Sequence, residues 1–384
     1  MDKIALAKRQ ELVGILEAFC KQLELTETER KSAEEKYNAV GKWLNLGGII
    51  MVYDPDISAQ GSIMLGTTVR PIGRVEFDVD LLCKLAKGSR DQGQAYVKRI
   101  IGDRLLENGT YGKMLEDINR GWRLNYAGEF HMDITPAVPN SLCPNGGILV
   151  PDKKLSRWKE SNPSGYVVWF NAKAALPLRR VMRESIQKEA RVQPIPEYGF
   201  AKSVLRRAVQ ICKRHRDIFF NGKENAPISI IITTLAAHAY EKAVRERTYE
   251  SEFDLLYDVL ELMPTFIELR YQNGNEVFHI ANPTTEGENF AEKWNSSLER
   301  AQAFFTWRGK AMADILKIAN MEGLDQISKS LGVMLGESEA RQAMAKYVSR
   351  KVTDPRSAGK LRSDSHVGLG SAGILVPRNT FFGK

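Results

Sequence analysis

Cysteine is scarce and unpatterned in this chain. Cys20, Cys83, Cys143 and Cys212 never form a C-x-x-C pair. Zinc sites and disulfide frameworks need close or patterned spacing, so both are excluded and four reduced thiols are expected. The five histidines are equally dispersed, and no H-E-x-x-H helix occurs. No apolar run approaches the ~20 residues that a membrane helix requires. The opening segment, MDKIALAKRQELVG, carries acidic residues and lacks the apolar core of a secretion signal. A cytoplasmic protein without membrane association is expected. A phosphate-binding P-loop is missing too: Gly109-Thr110-Tyr111-Gly112-Lys113-Met114 is too short and lacks the hydroxyl that would hold Mg²⁺. Neither an RRM aromatic motif nor a KH loop is found.

What is present is a mildly basic chain of 384 residues with a formal net charge of +8. That length accommodates two domains, and that charge favours polyanions, whether nucleic acid or nucleoside triphosphates. Residues 2–46 read as helical, in two amphipathic stretches that stop at Gly47-Gly48. Asp54-Pro55-Asp56 reads as a turn. Val75 to Cys83 alternates apolar and acidic residues at period two, which is a half-buried strand. Helix is expected over 91–119. A hairpin then joins Trp122–Tyr126 to Glu129–Ile134 through Ala127-Gly128. Residues 136–163, rich in Pro, Gly, Asn and Lys, read as irregular surface-covering chain. The stretches 174–190, 200–219, 227–248, 252–262 and 289–320 carry helical spacing, with few strand signals. These elements predict an α+β architecture. A mixed α+β lobe with a long N-terminal bridging helix would occupy 1–170, a helical lobe 171–350, and a flexible, Gly/Ser/Arg-rich tail 351–384.

The chemistry centres on Asp78 and Asp80. Two apart on a strand, they project from one face while Phe77, Val79 and Leu81 pack on the other. Adjacent carboxylates repel unless a cation sits between them, and Mg²⁺ favours a few carboxylates with phosphates and water. Upstream, Gly61-Ser62 supplies backbone N–H groups and a hydroxyl suited to a terminal phosphate. Downstream, His131-Met132-Asp133-Ile134 brings a third acid on a second alternating segment. Three carboxylates holding Mg²⁺, or Mn²⁺ in its place, suit phosphoryl-group chemistry on a triphosphate. A non-catalytic nucleic-acid-binding protein would leave these three acids facing a polyanion unexplained.

The pattern G-S…D-x-D…D, with the third acid in h-D-h-x-P, resembles nucleotidyltransferases of the DNA polymerase β superfamily. Within it, the chain is similar to the branch holding oligoadenylate synthetase, cyclic GMP-AMP synthase and the bacterial CD-NTases of anti-phage (CBASS) operons. The resemblance is carried by Gly61-Ser62 through Arg70, Asp78-Val79-Asp80-Leu81 and Met132-Asp133-Ile134-Thr135-Pro136-Ala137. It continues with Leu205 through Asp217 and with Asn282-Pro283, Glu288-Asn289-Phe290 and Trp294, covering about residues 40–310.

The resemblance implies a polymerase β-like core with a mixed sheet, with its site in a cleft between lobes. Asp78 and Asp80 would be shared by two metals, and Asp133 would bind the one activating the acceptor hydroxyl. Lys213 would contact the triphosphate, helped by Ser229. The family often has a base-stacking aromatic after that serine, but Ile230 stands here. Read alone, Lys213 is one basic residue on a solvated face and Ser229 a helix cap. The implied substrates are NTPs, ATP among them, and the products cyclic oligonucleotide second messengers plus pyrophosphate, with no need for nucleic acid. A template-independent linear or RNA-tailing polymerase shares the triad and is the alternative. An animal-type synthase would need a zinc-binding insertion, against which the cysteine spacing argues. Finally, Ile374 through Lys384 forms a short apolar terminus resembling an address for a ubiquitin-transfer-like partner enzyme, although Lys384 departs from the small terminal residue of that pattern.

Overall fold

The computed structural model describes residues 3–73, 76–143, 145–152, 156–178, 202–272, 274–353, 362–364, 368–370 and 374–376. In chain order its elements are α1 (Lys3–Gln22), α2 (Glu27–Asn45), β1 (Pro55–Gln60), α3 (Gly61–Leu65), β2 (Phe77–Leu85), α4 (Gln94–Leu106), α5 (Tyr111–Met114), β3 (Leu115–Ile118), β4 (Gly121–Tyr126), β5 (Phe130–Pro139), β6 (Ile148–Asp152), β7 (Arg157–Ser161) and α6 (Pro163–Ala174). There follow α7 (Val204–Phe219), α8 (Ser229–Glu246), α9 (Glu252–Leu262), β8 (Glu268–Gln272), β9 (Asn275–His279), α10 (Leu298–Ala319), α11 (Leu324–Leu335), α12 (Glu337–Val348), β10 (Arg362–Asp364), β11 (Gly368–Gly370) and β12 (Ile374–Leu375).

The chain forms two compact units, and neither is continuous in sequence. One takes Glu24–Ala175 with Ile267–Leu298; the other takes Met1–Leu23, Leu176–Phe266 and Glu299–Lys384. The expected linear division at 170 and 350 therefore differs from the observed one. The N-terminal helical region is likewise two helices, α1 in one unit and α2 in the other. The break has a local cause: Thr26 caps α2, accepting from the Glu29 backbone N–H at 3.2 Å while the Glu29 carboxylate accepts from Thr26 N at 2.6 Å. Such a reciprocal cap starts a helix and so ends its predecessor.

The first unit is built on a seven-stranded mixed sheet. Its path is β1-β2-β5-β4-β3, with β6 on β5 and β7 on β6. β2 and β5 run parallel, and the other pairs are antiparallel. Alternation divides the faces. Phe77, Val79, Leu81 and Cys83 of β2 and Phe130, Met132 and Ile134 of β5 bury against Val40 and Leu44 of α2 and Val97, Ile101 and Leu105 of α4. Each such side chain contributes about 1.5–3 kcal/mol by leaving water. The polar residues of the same strands are left on the opposite face.

Several expectations of loop or helix fail here. Within 136–163, β6 and β7 form a hairpin and β6 is buried along its whole length. A strand covered on both faces loses the alternation by which strands are read. Pro55 opens β1, an edge strand, where a missing N–H is tolerated. α6 ends at Ala174, where a helix over 174–190 was expected; Asn162 caps its start, accepting from Gly165 N at 2.9 Å. Most of that stretch, like Val75 of the expected strand, lies outside the described residues. β8 and β9 pair where few strand signals were read, and α10 starts only at Leu298. Asn282 to Trp294 is a self-bonded loop of this unit. Asn282 Nδ2 donates to Glu288 at 2.7 Å, and Trp294 is buried.

The second unit is helical, with Tyr240, Phe304 and Trp307 deep in its core. The buried His215 sits between Trp307, whose indole donates to Nδ1 at 3.0 Å, and Asp314 at 3.1 Å from Nε2. In the described part of the tail, residues 362–364, 368–370 and 374–375 form an antiparallel three-stranded sheet, β11-β10-β12. Of the terminal address Ile374 through Lys384, Ile374 and Leu375 form β12, and residues 377–384 lie outside the described residues. Among the described residues no helix is long and apolar enough to cross a membrane.

Candidate active site

The register of the sheet assembles the acids. Asp80 on β2 lies opposite Gln60 at the end of β1, and on its other side opposite Asp133 of β5. Asp133 in turn lies opposite Arg123 of β4, and Arg123 opposite Glu116 of β3. Directly paired residues share a face, so these five side chains form one row across five strands. Asp78, two residues before Asp80, projects from the same face in the next row.

Gly61 and Ser62 open α3, which follows β1 without a break and places the G-S turn over Asp80. Gly61 has φ +70°, and a Cβ there would overlap the Asp80 carboxylate. Only glycine satisfies both requirements. The Ser62 hydroxyl lies 3.4 Å from that of Thr68, and Ser62 O accepts from Thr67 N at 3.0 Å. Gln60 Nε2 donates to Thr135 Oγ1 at 3.3 Å, tying the end of β1 to β5.

Arg123 was missed in the sequence and is central here. Its Nε donates to Asp133 Oδ1 at 2.6 Å and its Nη2 to Asp133 Oδ2 at 2.8 Å. Nη2 also lies 3.7 Å from Asp78 Oδ1. Desolvation, and then the charge of Asp133, hold the Asp78 carboxyl above the usual range, with Arg123 and His131 opposing. Its bond to Asp133 holds Arg123 firmly protonated. The carboxylate donor set suits a hard divalent cation. As the side chains stand, however, no three His, Cys, Asp or Glu among the described residues are gathered into a ready metal shell. Both oxygens of Asp133 are engaged by Arg123.

Lys213 and Ser229 belong to the other unit. Lys213 is buried on α7, not a member of a solvated face. Ser229 is the first residue of α8, and Ile228 is its N-cap, so the helix-cap reading of this serine does not hold. Its hydroxyl instead accepts from Arg216 Nη1 at 3.0 Å; the same guanidinium donates to Pro227 O at 3.0 Å and to Asp217. Arg216, one turn beyond Lys213 on α7, thus fixes the Ser229 side chain. Helical spacing from Lys213 was the available signal for it.

Residues 11–174 match the Second Messenger Oligonucleotide or Dinucleotide Synthetase domain family. Over nearly its full length the chain is similar to a c-di-GMP synthase of Roseivirga ehrenbergii, at 29% identity over 395 residues covering 98% of each protein. Its fold is similar to that of the CD-NTase CdnG of Bradyrhizobium diazoefficiens in complex with GTP (TM-score 0.68, 18% identity, 87% of this chain and 97% of that one). It is also similar to that of Vibrio cholerae DncV cyclic AMP-GMP synthase (TM-score 0.53, 14% identity, 89% of each chain). A third similar structure is the CdnC:HORMA-deltaN complex of E. coli MS115-1 (TM-score 0.61, 13% identity, 86% of this chain and 97% of that one). The synthetase-domain match spans the sheet that carries the acid row, so the chain is similar there to second-messenger oligonucleotide synthetases, along its length to a cyclic-dinucleotide synthase, and in fold to CD-NTases.

Proposed function

We propose that this protein joins nucleoside triphosphates into a cyclic dinucleotide, with GTP as its principal substrate and ATP as the alternative, in cytoplasmic anti-phage signalling. The observation that supports it most is the row in which Asp80 and Asp133 stand opposite each other, with Asp78 beside them and Gly61-Ser62 above Asp80. The full-length similarity to a c-di-GMP synthase favours guanine over other bases.

Asp78, Asp80 and Asp133 would hold Mg²⁺, with Mn²⁺ able to replace it. Bound there, the metal lowers the cost of ionising an acceptor hydroxyl and neutralises charge on the departing pyrophosphate. The chain's own contribution is positional. Ser62 and the adjoining backbone would hold the terminal phosphates, while Lys213 and Ser229 bind triphosphate oxygens, the latter oriented by Arg216. An acceptor hydroxyl oxygen then bonds to the α-phosphorus, and the bond to the bridging oxygen breaks with pyrophosphate leaving. A ubiquitin-transfer-like enzyme recognising the C-terminal segment is the proposed partner.

The test is incubation with the four NTPs and Mg²⁺, followed by mass spectrometry and linkage-specific nuclease digestion. A guanine-containing cyclic dinucleotide and pyrophosphate are expected. The Asp78→Ala/Asp80→Ala variant should lose at least about 10³-fold in rate, since each ~1.4 kcal/mol of lost transition-state stabilisation is tenfold. Linear products of growing length would favour the RNA-tailing alternative. Near-normal turnover by a folded double variant would reject the site.

A further inference from the structure

Arg123 occupies an unusual place. It is the one cation in the five-residue row, flanked by Asp133 on β5 and by Glu116 on β3. Its fork takes both oxygens of Asp133 and reaches towards Asp78. A divalent metal needs those same carboxylate oxygens, at about 2.0–2.1 Å for Mg²⁺. Guanidinium and metal therefore compete for one site. The charges make the competition concrete. Three carboxylates alone carry −3; with Arg123 among them the cluster carries −2, so an arriving divalent ion meets a weaker field than three bare acids offer, and a triphosphate bound with it adds negative charge of its own.

On the far side of Arg123, Glu116 is exposed, and its carboxylate already accepts from Asn125 Nδ2 at 3.3 Å. It is within electrostatic reach of Arg123. A long side chain between two acids in one row has two places to rest.

We propose that Arg123 is a tethered counter-ion that occupies the metal-binding carboxylates until metal arrives, and then passes to Glu116. It is a positioning residue, acting through Asp133. The consequence is that metal loads poorly on its own and well together with a nucleotide, so the empty enzyme does not hold a reactive metal pair. The inference rests on the carboxylates being the metal site.

Mn²⁺ alone, titrated into nucleotide-free protein and followed by the loss of the free-ion electron paramagnetic resonance signal, reads the exchange directly. Removing a charge held in contact should let Arg123→Gln bind Mn²⁺ about tenfold more tightly than the unaltered protein. Glu116→Gln, which takes away the receiving partner, should bind it about threefold more weakly. An Arg123 that merely braces β4 against β5 would lower the melting temperature and leave both affinities where they were. That outcome overturns the proposal. If Arg123→Gln does not fold, unchanged Mn²⁺ affinity in Glu116→Gln overturns it equally. The Asp78→Ala/Asp80→Ala protein separates the two levels: Mn²⁺ bound there as tightly as before would remove the metal site itself, and the inference with it. A triad that binds Mn²⁺ equally with and without Arg123 would refute only the exchange.

Discussion

Gly61 shows how closely one position can be constrained. A positive φ costs an L-residue about 1–2 kcal/mol, and its missing Cβ leaves the space that the Asp80 carboxylate fills. Gly61→Ala is expected to fold, because the turn lies at the end of an edge strand, but to displace Asp80. Its turnover should fall by a factor of ten or more, since each ~1.4 kcal/mol of misplaced transition-state contact is tenfold. Unchanged kcat with unchanged metal affinity would show that Asp80 is not held by this contact. The requirement for glycine was legible in the sequence as a backbone that approaches something closely. What it approaches was not, because Asp80 is nineteen positions away and meets it only through the pairing of β1 with β2.

β5 shows the division of labour within an element. Its alternate residues Phe130, Met132 and Ile134 are fully buried, while His131, Asp133 and Thr135 face the acid row. Met132→Ala should therefore cost about 2–5 kcal/mol of stability through the cavity it leaves. Asp133→Asn, which breaks a partly exposed ion pair, should stay within about 1 kcal/mol of the parent yet abolish product formation. Chemical denaturation midpoints compared with turnover would check the split; a Met132 variant inactive while fully stable would contradict it. The β4–β5 hairpin carries a second lesson. A two-residue connection, Ala127-Gly128, sets Tyr126 opposite Glu129 and leaves Arg123 opposite Met132. The observed loop has three residues, closed by Glu129 N donating to Tyr126 O at 2.9 Å, and pairs Tyr126 with Phe130. That one-residue slip brings Arg123 onto the face of Asp133.

In the whole molecule, the unit bearing the acids is completed by a segment that returns after almost a hundred residues. Tyr166 of α6 stacks edge-on with Phe290 at 6.3 Å. Asn162 donates to Thr284 O at 3.2 Å, and Arg157 and Lys159 pair with Glu292. A fragment of residues 24–175 strips all of these partners away and uncovers Tyr166. It is expected to unfold broadly and to bind a hydrophobic dye, whereas the same fragment carrying residues 267–298 on a linker should melt cooperatively. Calorimetry of both would decide, and a cooperative transition of equal midpoint in the shorter fragment would make the returning segment dispensable.

The placement of the acids on one face could be read before any fold was known, because it is local. A period of two places Asp78 and Asp80 on one face, and a short alternating segment does the same for Asp133. Glycine before serine announces a tight turn for steric reasons alone. Helices α7, α8 and α9 were legible for a similar reason, since a stripe of apolar residues needs only its own neighbours to be recognised. Which residues stand opposite those acids is another matter. Arg123 at Asp133, Gln60 at Asp80 and Arg216 at Ser229 depend on strand register and on helix packing, which follow from hydrophobic faces meeting across the core. β6 escaped notice because burial on both sides removes the polar alternation that marks a strand. Contacts between distant segments are settled by the free energy of the whole unit, so only the tertiary structure could assemble the row.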